Sequence, residues 1–146
     1  MKRSLMFLAA FLLLMGVLAA AAYAVEAPKV CQLCKMDRTM FDYSRMIIEY
    51  SDGTTVGVCS LNCAVAYQMK NQDKQAKAIK VADFTTKKLI DAKTAIWVVG
   101  GNKKGVMTAL PTWAFASEQN AQDFMKENGG KIVTFNEVWK IAEKEQ

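Results

Sequence analysis

Four cysteines and no histidine frame the chemistry open to this chain of 146 residues. Cys31, Cys34, Cys59 and Cys63 are spaced C-x2-C, a gap of 24 residues, then C-x3-C. Two short thiol pairs at that separation can wrap one soft metal ion. With no imidazole, a transition-metal site has to be built from sulfur, with carboxylates as the only other charged donors. Thiolates and thioethers favour Cu(I) and Zn(II) over harder ions. The missing histidine also removes Ser–His and Cys–His nucleophile pairs. No glycine-rich phosphate loop opens a helix, because Gly100-Gly101 runs into Lys103-Lys104 and then into strand-like sequence. These residues point to a binding protein, not an enzyme.

The flanking residues sharpen the choice of ion. Cys59 is expected at the end of a strand and Cys63 in the first turn of a helix capped by Ser60, where the helix dipole favours thiolate. Met36 and Met40 follow Cys34 closely, and Met107 lies in a glycine-broken loop. A thioether is a good ligand for Cu(I) and a poor one for Zn(II), so Met36 and Met107 join the four cysteines as candidate metal-site residues. Met46, Met69 and Met125 read as core filling. Asp37, Asp42 and Asp52 read as turn and surface carboxylates. Three alternatives remain at this level. The thiols could close on a structural Zn(II), or form disulfides, for which Cys31–Cys34 with Cys59–Cys63 is the local one of three connectivities. Cys31 and Cys34 could also serve a thiol oxidoreductase, although that motif should open a helix after a buried strand and a polar loop follows here.

Residues 1–24 read as a signal peptide. Lys2 and Arg3 precede an apolar run from Leu5 to Ala22, and Ala22-Tyr23-Ala24 is a small-x-small cleavage site. The competing reading is an uncleaved membrane anchor, the run being just long enough to span a bilayer. The expected location is therefore the periplasm or cell envelope, with membrane contact only if the segment stays on. Disulfides become available there, which is why the alternatives above matter. The net charge of +5 falls by two on cleavage, and the lysines are scattered, so no nucleic-acid partner is expected.

The remaining residues suffice for one compact α+β fold. Met46–Tyr50 and Thr55–Cys59 read as a hairpin around Asp52-Gly53, followed by a helix from Leu61 to about Asn71 and a strand over Ala78–Phe84. A similar order recurs: strand Ala95–Val99, strand Trp113–Ala116, a Ser117 cap, a helix Glu118–Asn128 stopped by Gly129-Gly130, and strand Lys131–Phe135. Asn136 is expected to cap a last helix from Glu137. Cys59-Ser60-Leu61-Asn62-Cys63-Ala64-x-x-Tyr67 aligns with Ala116-Ser117-Glu118-Gln119-Asn120-Ala121-x-x-Phe124. We read two ββαβ units in tandem with a C-terminal helix, over residues 25–90 and 91–146, offset by 57 positions. The cysteines occur in the first copy only, which favours a functional site over a staple.

With these motifs in hand, the chain resembles the NosL family of nitrous oxide reductase accessory proteins. The resemblance rests on Cys31-x-x-Cys34-x-Met36, Trp97-Val98-Val99, Met107-Thr108, Trp113-Ala114-Phe115-Ala116-Ser117-Glu118, Ala121-x-x-Phe124 and Gly129-Gly130 with Phe135. It implies an exported Cu(I)-binding protein of two ββαβ units that delivers copper to a periplasmic cupro-enzyme, with Cys34 and Met36 matching the family's Cys-x-Met element. The resemblance also implies a copper enzyme or copper transporter as client. Three features depart from the family: the signal segment lacks a lipidated cysteine, a histidine is absent, and Cys59-x3-Cys63 is similar to the pair of small heavy-metal-binding treble-clef modules. The resulting expectation is a metallochaperone holding Cu(I), with Zn(II) as the alternative, through Cys31, Cys34, Cys59 and Cys63, and with Met36 and Met107 nearby.

Overall fold

Asp-Gly turns, serine caps and alternating apolar strands translate directly into the elements of the computed structural model, which describes Glu26 and residues 28–146. The signal segment expected over residues 1–24 lies outside the described residues. A 3-10 turn at Arg38–Phe41 leads into β1 (Met46–Tyr50), β2 (Thr55–Val58), helix α1 (Leu61–Lys70), β3 (Ala76–Ala82) and β4 (Leu89–Asp91). The second half follows as β5 (Ile96–Val99), β6 (Thr112–Phe115), α2 (Glu118–Asn128), β7 (Lys131–Val133) and α3 (Phe135–Glu143). Among the described residues no helix is long and apolar enough to cross a membrane.

Both halves have the same topology. The first sheet runs β2-β1-β3-β4 and the second β6-β5-β7, so in each the first strand is central and its hairpin partner and post-helix strand flank it. All pairings are antiparallel. Met46 faces Val58 at the hairpin base, and Ile96 faces Phe115 in the same role. The offset between copies thus grows from 50 at the first strand to 57 at the second, because the β5–β6 loop is longer than the Asp52-Gly53 turn. Ser60 accepts from the Cys63 amide and Ser117 from the Asn120 amide, so the helix caps also superpose. The α+β architecture with tandem ββαβ units and a terminal helix is as expected.

Three details differ. Strand β4 pairs with β3 and was not anticipated; its Leu-Ile-Asp run is too short to show a period. The last helix begins at Phe135, capped by Thr134 through a reciprocal capping box with Glu137, and not at Glu137 behind Asn136; Thr134 with Glu137 three residues on is the box signature that was overlooked. Met69 is exposed and fills no core.

Alternation along β5 places the second sheet between two cores. Trp97 and Val99 join the larger core with Met46, Ile48, Val58, Val65 and, from α3, Val138 and Ala142. Val98 faces the other way, into a cluster with Trp113, Phe115, Ala121 and Phe124 under α2. Phe84, from the linker after β3, enters this second cluster edge-on, 5.2 Å from Trp113 and 5.1 Å from Phe124 between centroids. The backbone also crosses here: the Phe84 amide donates to the Ala114 carbonyl at 2.8 Å.

Asp83 secures this crossing. Its side chain is fully buried; Oδ1 accepts from the Ala116 amide at 3.1 Å and Oδ2 from the Thr86 amide at 2.9 Å and the Thr86 hydroxyl. Burial pushes the Asp83 carboxyl up, but the Thr86 and Ala116 donors outweigh it and hold the group below the usual range. Asp83→Ala should cost about 1–3 kcal/mol or more, since it strands buried amides, seen as a lower urea midpoint. A depressed folded pKa means this stabilisation is complete above the ordinary carboxyl pKa of about 4 and fades as pH falls through the lower folded value. The stability gap between wild type and Asp83→Asn should therefore shrink on acidification below about pH 4; a gap constant down to pH 3 would contradict this account.

Candidate metal centre

The first thiol pair sits in a tight knuckle closed by its own backbone. The Cys31 amide donates to the Met36 carbonyl at 2.8 Å, and the Lys35 amide donates back to the Cys31 carbonyl at 3.0 Å. Lys35 takes a left-handed conformation, φ 67°, to make this return. Val30 and Asp37 pair across the neck, and Asp37 caps the 3-10 turn that follows. The knuckle is hung on the free edge of β2: the Gln32 amide donates to the Gly57 carbonyl at 3.0 Å, and the Gln32 side-chain oxygen accepts from the Gly57 amide at 2.8 Å.

The second pair comes from the β2–α1 junction. Cys59 directly follows β2, and the Ser44 hydroxyl donates to its carbonyl at 2.8 Å. Cys63 lies one turn into α1, its amide held by the Ser60 hydroxyl at 3.3 Å. Gln32 thus brings one pair beside the strand that delivers the other.

The result is a single sulfur cluster. All four Sγ atoms lie within 4.8 Å of one another, and the Cys34–Cys59 and Cys59–Cys63 sulfurs are each 3.5 Å apart. Tetrahedral coordination at Zn–S lengths places sulfurs about 3.8 Å apart, so these residues can accept one soft ion with small adjustments. All four cysteines are free. Cys31, Cys59 and Cys63 are buried and only Cys34 is half-exposed.

The acid–base pattern departs from expectation. The neighbouring thiols of Cys59 and then Cys63 hold the Cys31 thiol well below its ordinary pKa. Cys59 is pushed up, first through the same interaction with Cys31, and Cys63 is pushed up to about 12, again first through Cys31. The cluster therefore gathers its first negative charge on Cys31, and that charge holds the protons of the helix-end thiols in place. The lowering foreseen at Cys59 and Cys63 from the helix terminus is overridden by the nearer thiolate.

The methionines are placed differently from one another. Met36 lies in the knuckle, half-buried, and its carbonyl closes the turn on Cys31. Met107 is in the β5–β6 loop, 52% exposed, with φ 53°. It shares a cleft of about 490 Å³ with Cys63, Leu33, Asn62, Thr108 and Glu145.

A buried arginine that sequence reasoning missed organises the centre. Arg38 has no exposure. Its Nε donates to the Val58 carbonyl at 3.1 Å, and Nη2 to the Met46 carbonyl at 3.1 Å and to Glu26 Oε1 at 2.6 Å. Nη1 donates to the Glu26 and Pro28 carbonyls. Arg45 chelates the same Glu26 carboxylate at 3.0–3.1 Å. Gly57 is glycine because Arg38 lies over it: a Cβ there would stand 2.6 Å from Nη1. The only sequence signal for this was an arginine in a loop with no apolar period, which is not distinctive.

Equivalent positions in the second copy, Ala116 and Asn120, keep the strand, cap and helix without sulfur. Replacing Cys59→Ala together with Cys63→Asn should therefore leave the metal-free, reduced protein cooperatively folded, with a melting temperature within a few degrees of metal-free wild type. Loss of a structural metal or disulfide in a small domain typically costs about 2–5 kcal/mol or more, so an unfolded double mutant would identify the cluster as a staple.

Comparisons with known proteins agree with this architecture. The family model described as NosL matches residues 22–142. The crystal structure of the copper chaperone NosL from Shewanella denitrificans superposes with a TM-score of 0.64 at 24% identity, over 80% of this chain and 93% of that one. At that identity the likeness is one of fold. No curated protein sequence matches the chain.

Proposed function

We propose that this chain, which belongs to the NosL family, binds Cu(I) as cargo through Cys31, Cys34, Cys59 and Cys63 and passes it on as an exported metallochaperone. The observation that carries this reading is the sulfur cluster itself: four sulfurs within 4.8 Å, one of them at the surface. The solved copper chaperone of the same fold supports the choice of ion. Soft thiolates and nearby thioethers at Met36 and Met107 suit Cu(I) better than harder ions.

Transfer on this reading is ligand exchange. Cys34 is the thiol a partner can reach directly, and the cleft that Cys63 helps line offers a second approach. A thiolate or thioether of the partner displaces one cysteine at a time, so the ion is never released free. The protein makes and breaks metal–sulfur bonds without turning over a substrate, which is binding, not catalysis. The client on this reading is a periplasmic copper enzyme or a copper transporter.

A second reading is favoured by one feature. A complete set of four thiols at near-tetrahedral spacing, three of them buried, is also the donor set of a closed structural Zn(II) site. Competition against chelators separates the two. Cu(I) should displace Zn(II), and Met36→Leu, which keeps roughly the volume and removes the sulfur, should weaken Cu(I) retention without altering the melting temperature. Zn(II) that resists exchange, together with an indifferent Met36→Leu, establishes the structural reading.

Export is tested separately. N-terminal sequencing of the protein recovered from a Gram-negative envelope should begin at Val25, and recovery of intact Met1 in the membrane fraction would make residues 1–24 an anchor.

A further inference from the structure

We infer that Glu145 is a positioning residue for the thiol centre, clamping the β5–β6 loop so that Met107 stays in the wall of the cleft that Cys63 also lines. The carboxylate bridges two segments. Oε2 accepts from the Asn62 side-chain amide and from the Ala109 amide at 3.2 Å, and Oε1 from the Leu110 amide at 3.0 Å; the Thr108 hydroxyl, 2.9 Å from Oε2, divides its one proton between that oxygen and the Leu110 carbonyl at 2.6 Å. Asn62 is buried and precedes Cys63 in the first turn of α1. One side chain beyond the end of α3 thus ties the helix that carries Cys63 to a loop of the other unit.

That loop needs such a tie. It is the segment by which the second hairpin exceeds the first, and Gly100 and Pro111 close its base through a 2.8 Å backbone bond. It folds back so tightly that a Cβ at Gly105 would lie 2.5 Å from the Thr108 methyl. Val106 is anchored in the larger core, and Thr108–Leu110 is anchored on Glu145. Met107 lies between these anchors with a left-handed backbone and an exposed side chain. A non-glycine residue keeps that conformation only where its neighbours over-determine it. A carboxylate can accept all four donors at once, which a neutral side chain cannot. Releasing it frees the loop at the Met107 side while Val106 stays docked, so the clamp governs approach to Cys63 through the cleft and leaves the buried sulfurs behind it covered.

The clamp itself is independent of any ion, whereas its effect on transfer rests on the copper reading, and two measurements separate them. The first uses reduced, metal-free protein and iodoacetamide, with the alkylation rate read at each cysteine by peptide mass spectrometry. Glu145→Ala should speed modification of Cys63 about tenfold, the scale of one lost charge-assisted hydrogen bond, with Cys31 and Cys59 unchanged. Thr108→Val cuts the clamp from the loop side and should act in the same direction. Glu145→Gln keeps an acceptor and should retain part of the protection. An unchanged Cys63 rate in both Glu145→Ala and Thr108→Val, or a parallel rise at Cys31 and Cys59, overturns the inference. The second measurement loads Cu(I) and follows its transfer to bathocuproine disulfonate. Glu145→Ala should transfer faster, and an unchanged rate removes the role in transfer. A protein that takes up no Cu(I) defeats the copper reading, while the alkylation rates still decide the clamp.

Discussion

A guanidinium with no water around it is the constraint on which the first half of this molecule is built. Arg38 cannot shed its charge, and an unpaired buried charge costs several kcal/mol. Every direction in which it donates must therefore be met, and the fold meets them with the carbonyls of Met46, Val58, Glu26 and Pro28 and with the Glu26 carboxylate. Those partners are the start of β1, the end of β2 and the segment leading into the knuckle. Satisfying one side chain thus sets the distance between the Cys31/Cys34 turn and the strand end that presents Cys59. Gly57 is the cost in local sequence, since no side chain fits beneath the guanidinium. Glu26 is held below the ordinary carboxyl range despite partial burial, chiefly by hydrogen bonds from Arg45, so the tether tightens as that carboxyl ionises and loosens in acid.

The two ββαβ units share a scaffold and divide the work. In both, a serine cap turns the end of the second strand into a helix. The first copy fills that junction with Cys59 and Cys63; the second fills it with Ala116 and Asn120. What the second copy adds is length: its hairpin loop, a short turn in the first copy, extends to form a wall of the cleft at Cys63. Asp83 and the Phe84 aromatic cluster tie the segment after the first unit to the second sheet. A sheet faced by two cores, with Trp97 and Val98 pointing opposite ways, leaves little freedom for the units to slide.

What could be read in the sequence was what periodicity and local caps encode. The hairpin at Asp52-Gly53, the helices opening after Ser60 and Ser117, and the stop at Gly129 each depend on a few neighbouring residues, and each stands where it was expected. The cysteine spacing was informative for the same reason: C-x2-C and C-x3-C describe local turns, and the geometry brings their sulfurs together. Arg38, Gln32 and Glu145 reach partners 12, 25 and 83 positions away, and nothing in their immediate neighbours announces a partner so distant. Their burial follows from the assembled fold. The charge distribution in the cluster was misjudged for a related reason: a helix dipole can be inferred from one element, but the stronger neighbour at Cys31 arrives from another.

These long-range ties bear on the difference between a carrier and a staple. In a structural zinc module the ion supplies the energy that brings its ligands together. Here each thiol-bearing segment has its own attachment that involves no sulfur: Gln32 to Gly57, Ser44 to the Cys59 carbonyl, Ser60 to the Cys63 amide, and Arg38 through the whole. These hydrogen bonds hold the thiol-bearing segments beside one another without using a sulfur atom as a partner. On the proposed copper reading, loading would displace thiol protons from a set whose members shift one another, with Cys31 pushed down and Cys59 and Cys63 pushed up. On that same reading, thiol segments attached in this way would let cargo enter and leave without refolding, which a chaperone requires.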